Sequence, residues 1–195
     1  MKLFINASLP TSSSAFKRVN VLFDDKIIKI SNEDIKTEEE PEVIDLKGKI
    51  LLPGAIDPHL HTWEKLSDIP KTITKATQKA ISGGWTTVAE LSYICEQPIF
   101  NTKHLSQMIA MINEHSLADI SLWGNVDIGD YPYHAEAAQD LWGKGVVGIA
   151  LMTPSPNPNI QELSFTEIMD LFMDIYESDT EFAFQGSDML SHDEY

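Results

Sequence analysis

The stretch Leu51-Leu52-Pro53-Gly54-Ala55-Ile56-Asp57-Pro58-His59-Leu60-His61 decides how the chain folds. Its short apolar run, bounded by turn-forming residues, is a strand pattern, predicted over Ile50 to Pro58. Residues at i and i+2 of a strand share a face, so His59 and His61 project together from its C-terminal end. Two neutral imidazoles side by side make half of a zinc or similar divalent site, and both are candidate metal ligands. The plainer alternative is two strand-end histidines with ordinary hydrogen bonds.

Downstream, short apolar runs alternate with longer helical patterns, which is a βα rhythm. Further strands are predicted at Thr86 to Ser92, Asp119 to Val126, Val146 to Met152 and Phe182 to Gln185. Helices are predicted at Lys65 to Ser82, Asn101 to His115, His134 to Trp142 and Ser164 to Glu177. Ser164 with Glu167 is a capping-box pattern, while Gly83-Gly84 and Gly143 stand where C-caps belong. A strand recurs about every 30 residues, the length of one βα unit of a parallel sheet or barrel. A closed (β/α)8 barrel needs about 250 residues, so the 195 residues here accommodate either an open doubly wound sheet or the first half of a barrel. The fold expected is α/β: about five strands of a TIM-type barrel over residues 50–195, preceded by a small N-terminal β-sandwich unit over residues 1–49.

That first unit reads as strands at Lys2 to Ala7, Arg18 to Phe23, Lys26 to Ile30 and Val43 to Leu46, broken by a Pro/Ser loop and the Asp24-Asp25 turn. The segment Glu33 to Glu42 reads as a solvated acidic loop. Across the chain 14 Lys+Arg stand against 30 Asp+Glu, a net charge of −16, which argues against nucleic-acid binding and a cationic membrane face. No apolar run approaches the roughly 20 residues of a membrane span, so a cytoplasmic location is expected. The lone Cys95 can form neither an internal disulfide nor a thiolate zinc site, so any zinc or other divalent ion must be held by His and carboxylates.

The run Pro53 to His61, its lead-in Ile44-Asp45-Leu46-Lys47-Gly48-Lys49, the entry Gly83-Gly84-Trp85-Thr86-Thr87-Val88 and Gly145-Val146-Val147-Gly148-Ile149 together resemble the amidohydrolase superfamily. Within it they resemble the cyclic amidohydrolases: dihydroorotase, allantoinase and hydantoinase. The resemblance implies metal-assisted hydrolysis of a ring amide by one or two divalent ions, usually zinc. It implies the His59/His61 pair on strand one, a carboxylated lysine on strand four, histidines on strands five and six and an aspartate on strand eight. The chain departs from that pattern. Ala150 stands at the lysine position, and no lysine follows Lys144. Strand five reads Phe184-Gln185-Gly186-Ser187-Asp188, with the neutral amide of Gln185 where the family has a histidine. Trp63 takes the place of the arginine that holds the substrate carboxylate in dihydroorotases.

Among the remaining candidates, Glu90 and Asp127 are carboxylates at strand ends, each read first as structural. Cys95, His104, His115, His134 and His192 are read as packing or surface residues. Trp123-Gly124-Asn125 and Tyr131-Pro132-Tyr133 are either core or pocket wall, and Thr153 to Asn159, with three prolines, is a stiff loop. No catalytic residue is assigned. The expected function is dihydroorotase-like hydrolysis of a small cyclic amide, impaired in this chain. The alternatives are an inactive scaffold or assembly partner, or a fragment without independent function. A homo-oligomer or a hetero-partner would complete the barrel.

Overall fold

The computed structural model describes residues 1–12, 14–63, 65–155, 157–161, 163–176 and 182–186, without the side chains of 185 and 186. It divides into two compact units, Met1–Pro53 and Gly54–Tyr195.

In the first unit, β1 (Lys2–Pro10), β2 (Phe16–Phe23), β3 (Ile27–Ser31) and β4 (Glu42–Asp45) form one sheet in the order β3-β2-β1-β4. The expected sandwich unit is this single four-stranded sheet among the described residues. β2 pairs antiparallel with β1 and β3, and β4 runs parallel to β1. The β1/β2 register slips by one residue between Phe4 and Ala7. Asn6 sits there at φ 59°, a conformation Asn tolerates, and its amide group is anchored on Asp45 at 2.9 Å. The extra residue keeps both Phe4 and Ala7 on the face that packs with Val19, Val21 and Phe23, while Leu3 and Leu22 pack with Ile35 on the other. Ser8 bridges to Ile50, and the Leu51 N–H donates to the Ser8 carbonyl at 2.9 Å. Residues 50–53 therefore extend this sheet, and the strand predicted from Ile50 begins at Ala55 instead.

Among the described residues of the second unit, five parallel strands alternate with four α-helices: β5 (Ala55–Leu60), α1 (Ile69–Ser82), β6 (Trp85–Leu91), α2 (Thr102–His115), β7 (Asp119–Trp123), α3 (His134–Trp142), β8 (Ile149–Thr153), α4 (Phe165–Tyr176) and β9 (Phe182–Gly186). β5-β6-β7 and β8-β9 are parallel ladders. A parallel Gly124–Ile149 bridge joins them, with the Ala150 N–H donating to the Gly124 carbonyl at 2.9 Å. The strands thus lie side by side in chain order, as do the first five strands of a TIM-type barrel.

The helices bury one stripe each, at the spacing that a 3.6-residue period places on one face: Ile69, Ile73 and Thr77; Leu105, Met108 and Ile112; Ala135, Ala138 and Leu141; Ile168, Leu171 and Ile175. The apolar members apart from Ala135 share one core with Trp63, Ile99, Leu122 and Ile149. Gly84, at φ 86°, ends α1 in a left-handed turn, its N–H donating to the Ile81 carbonyl. The Ser164/Glu167 capping box forms, with the Ser164 N–H on the Glu167 carboxylate at 2.6 Å and the Glu167 N–H on the Ser164 hydroxyl at 3.3 Å. Where β5 enters the sheet, a Cβ on Gly54 would overlap the Thr86 side chain, so glycine permits the strands to approach there. No helix among the described residues is long and apolar enough to cross a membrane.

Candidate active site

The site grows from the end of β5. Pro58 has no N–H to give the ladder, and the β5/β6 register shifts between Asp57 and Leu60. The chain is thereby released from regular pairing where His59 and His61 stand. The two rings meet edge to face, and their Nε2 atoms lie 2.9 Å apart. His61 Nδ1 lies 3.1 Å from the Leu91 carbonyl, which only accepts, so Nδ1 carries the proton and Nε2 presents a lone pair. In this contact His59 donates from Nε2, and to serve as a ligand through that atom it would carry its proton on Nδ1 instead. Burial holds His61 below the usual histidine range, against the Leu91 hydrogen bond and assisted by His59, which favours the neutral ring a metal ligand requires.

The pair fits as two donors. Nitrogens bound at about 2.05 Å to one divalent ion, 90–109° apart, stand roughly 2.9–3.3 Å from each other. The Leu91 carbonyl on the far nitrogen of His61 is the outer hydrogen bond that orients such a ligand. Among the described residues no group of three or more His, Cys, Asp or Glu side chains could hold an ion, so nothing there completes the coordination.

Both rings line a cavity of about 150 Å³ at the C-terminal ends of the strands, walled by Leu91, Tyr93, Ala150, Leu151, Met152, Ala183 and Phe184. Ala150, which the resemblance sets at the position of a bridging lysine, brings a methyl group to this wall. Trp63 points elsewhere: it is 1% exposed and belongs to the core. At the position the resemblance sets against an arginine, the chain thus supplies packing and no cation.

Loops on this face are tied to one another by buried polar groups. Glu90, 1% exposed, accepts from the Thr62 N–H at 2.7 Å, the Thr62 hydroxyl at 2.9 Å and the Trp63 N–H at 3.3 Å. Burial nevertheless pushes its pKa up to about 7, outweighing those three donors. Asn157 donates to the Tyr93 and Cys95 carbonyls at 2.7 and 2.8 Å, pinning the loop after β8 to the loop after β6. Asn125 accepts from the Ser92 hydroxyl and the Ile99 N–H and donates to the Ala150 carbonyl. Sequence reasoning gave Asn125 and Asn157 no such role. Short polar residues in loops look alike until the fold shows which are buried.

The other candidates fall outside the cavity. Asp127 caps a 3-10 turn, accepting from the Gly129 N–H at 2.8 Å. Cys95 is buried and its thiol is pushed up by burial. His104 Nδ1 meets the Pro98 carbonyl at 3.1 Å, and His115 faces Glu114 at 3.7 Å. His134 is 2% exposed and stacks on Tyr131, with rings 5.1 Å apart. Trp123 donates from Nε1 to the Pro58 carbonyl at 3.0 Å. His192, Ser187 and Asp188 lie outside the described residues, as does the side chain of Gln185.

No protein-family model matches the chain. It is 34% identical over 126 residues to dihydroorotase of Pyrococcus horikoshii, covering 65% of this chain and 29% of that protein. It is 33% identical over 115 residues to dihydroorotase of Staphylococcus epidermidis, covering 58% and 25%. The chain thus aligns with under a third of the length of these curated relatives. Among solved structures, L-hydantoinase (dihydropyrimidinase) of Arthrobacter aurescens superposes with a TM-score of 0.78 at 21% identity, over 93% of this chain and 40% of that one. Dihydropyrimidinase of Brevibacillus agri gives 0.74 at 19% identity, over 98% and 41%. The chain is similar to the cyclic amidohydrolases of the amidohydrolase superfamily, dihydroorotase-like in sequence over about two thirds of its length and hydantoinase-like in fold.

Proposed function

We propose that the chain carries the first part of a metal-dependent cyclic-amide hydrolase centre, with His59 and His61 as metal ligands, and that this centre is impaired as the sequence stands. The convergence of the two Nε2 atoms at 2.9 Å on the cavity at the strand ends carries the reading. A divalent ion held by this pair supplies Lewis-acid polarisation of an amide carbonyl and lowers the pKa of water. The chain's own contribution is to hold His61 neutral and oriented through the Leu91 carbonyl, and to wall the cavity with Tyr93, Met152 and Phe184. Ala150 cannot bridge two ions, which is the basis for impairment. The dihydroorotase and hydantoinase relatives support a small cyclic amide as the substrate class.

Metal content and hydrolysis of dihydroorotate and hydantoin test this in the wild type, in H59A/H61A and in A150K. The expected results are zinc uptake by the wild type, lost in H59A/H61A, and weak turnover that rises in A150K. Equal zinc and equal turnover in wild type and H59A/H61A would refute it. A second reading, an inactive cytoplasmic scaffold or assembly partner, is favoured by the methyl group of Ala150 in the cavity wall. Native mass spectrometry of the protein from its own source separates the two: a metal-free assembly with a second protein supports the scaffold.

A further inference from the structure

We infer that Glu90 is the positioning residue of the histidine pair, clamping the strand end on which His61 stands. The backbone ladder cannot do this alone: Pro58 gives no donor, and the β5/β6 register is irregular between Asp57 and Leu60. Past that break, β6 recaptures the chain through side-chain and carbonyl contacts from two consecutive residues. Glu90 takes the Thr62 N–H, the Thr62 hydroxyl and the Trp63 N–H, at 2.7, 2.9 and 3.3 Å. Leu91 takes His61 Nδ1 at 3.1 Å. Residues 61–63 are thus held by four hydrogen bonds to residues 90 and 91. The two N–H groups share Oε1, and the Thr62 hydroxyl, which can donate or accept, meets Oε2, so the clamp needs one fixed acceptor oxygen and holds in either protonation state of Glu90. Trp63, sunk in the core, anchors the far end of the same segment. Releasing Glu90 frees the backbone between the core and His61, the Leu91 contact lengthens, and the His61 tautomer is no longer fixed.

The ring geometry follows from these contacts alone, while the effect on metal rests on the reading of His59 and His61 as ligands. The test compares wild type, Glu90→Leu and Leu141→Ala, the last a core cavity at a residue that does not line the site, by imidazole 15N NMR and by Co2+ titration. The wild type is expected to show His61 as a single tautomer protonated at Nδ1. Glu90→Leu, which removes every acceptor, is expected to mix the two tautomers and to weaken Co2+ binding roughly 10- to 100-fold, the usual effect of losing an outer hydrogen bond of a ligand. Leu141→Ala should change neither, although it destabilises the fold. Should Glu90→Leu fail to fold, Thr62→Val removes one of the three bonds with Glu90 in place, and it must shift the His61 ring signals. Unchanged His61 signals in the folded Glu90→Leu or Thr62→Val protein overturn the inference. A wild type that binds no Co2+, with Glu90→Leu still mixing the tautomers, overturns the metal reading and leaves the role of Glu90 standing.

Discussion

Replacing Glu90 by glutamine should change the pH dependence of stability, and its size follows from the burial of the carboxyl. Burial raises the Glu90 pKa from 4.5 to about 7 against the pull of the Thr62 and Trp63 donors, with Asp57 adding to the rise. The native state therefore holds this proton more tightly than the unfolded chain. The stabilisation is fully present below pH 4.5 and is lost as pH rises through 7. At 1.36 kcal/mol per unit, the span amounts to about 3 kcal/mol. Glutamine does not titrate, so its cost as a poorer acceptor is a constant offset across that range. Urea denaturation of both proteins from pH 5 to 8, followed by tryptophan fluorescence, covers most of the span and stays above the isoelectric point near 4.6. The stability difference, wild type minus Glu90→Gln, should fall by about 2–3 kcal/mol from the acidic to the basic end. A difference that stays flat, or rises with pH, would show that the three donors outweigh burial and that Glu90 is an ordinary ionised carboxylate.

Restoring the dihydroorotase-like arginine with Trp63→Arg should fail to create a carboxylate-binding site, since that side chain sits in the core. It should cost about 3–5 kcal/mol or prevent folding, read as a fall in urea midpoint, and gain no dihydroorotate binding by calorimetry. Asn157→Ala leaves the Tyr93 and Cys95 carbonyls without their side-chain donor. A loss of about 1–3 kcal/mol is expected, with faster amide exchange in the loops after β6 and β8.

The order of elements was legible because the chain punctuates them strongly. The Ser164/Glu167 box and the Gly83-Gly84 stop both act as their spacing suggests, and the apolar stripes of all four helices follow the 3.6-residue period. The start of β5 was not legible. Ile50 to Pro53 is as apolar as a buried strand, but its backbone partners lie around Ser8, and no local pattern announces a partner about 40 residues away. The i, i+2 rule placed His59 and His61 together, although His61 lies just beyond the strand and its ring is aimed by a carbonyl 30 residues on. Glu90 read as a strand-end carboxylate because burial is a property of the packed sheet. Its three donors arrive from a segment some 28 residues earlier.

The departures from the family pattern therefore differ in kind. Ala150, which the resemblance sets against a bridging lysine, lies on the cavity wall, so a single substitution there tests what a functional group would add without disturbing the sheet. Trp63, which the resemblance sets against an arginine, lies in the core, where Ile69, Ile73 and Ile99 belong to the same apolar cluster. That change is coupled to packing and cannot be reversed alone. Yet the clamp that steadies His61 uses the Trp63 N–H, not its side chain, so it is independent of what the indole replaced. The histidine pair is thus held in a ligand-like arrangement by backbone donors and buried polar groups that the other departures leave untouched. Ligands could therefore be added to the wall without rebuilding the strand that presents His59 and His61.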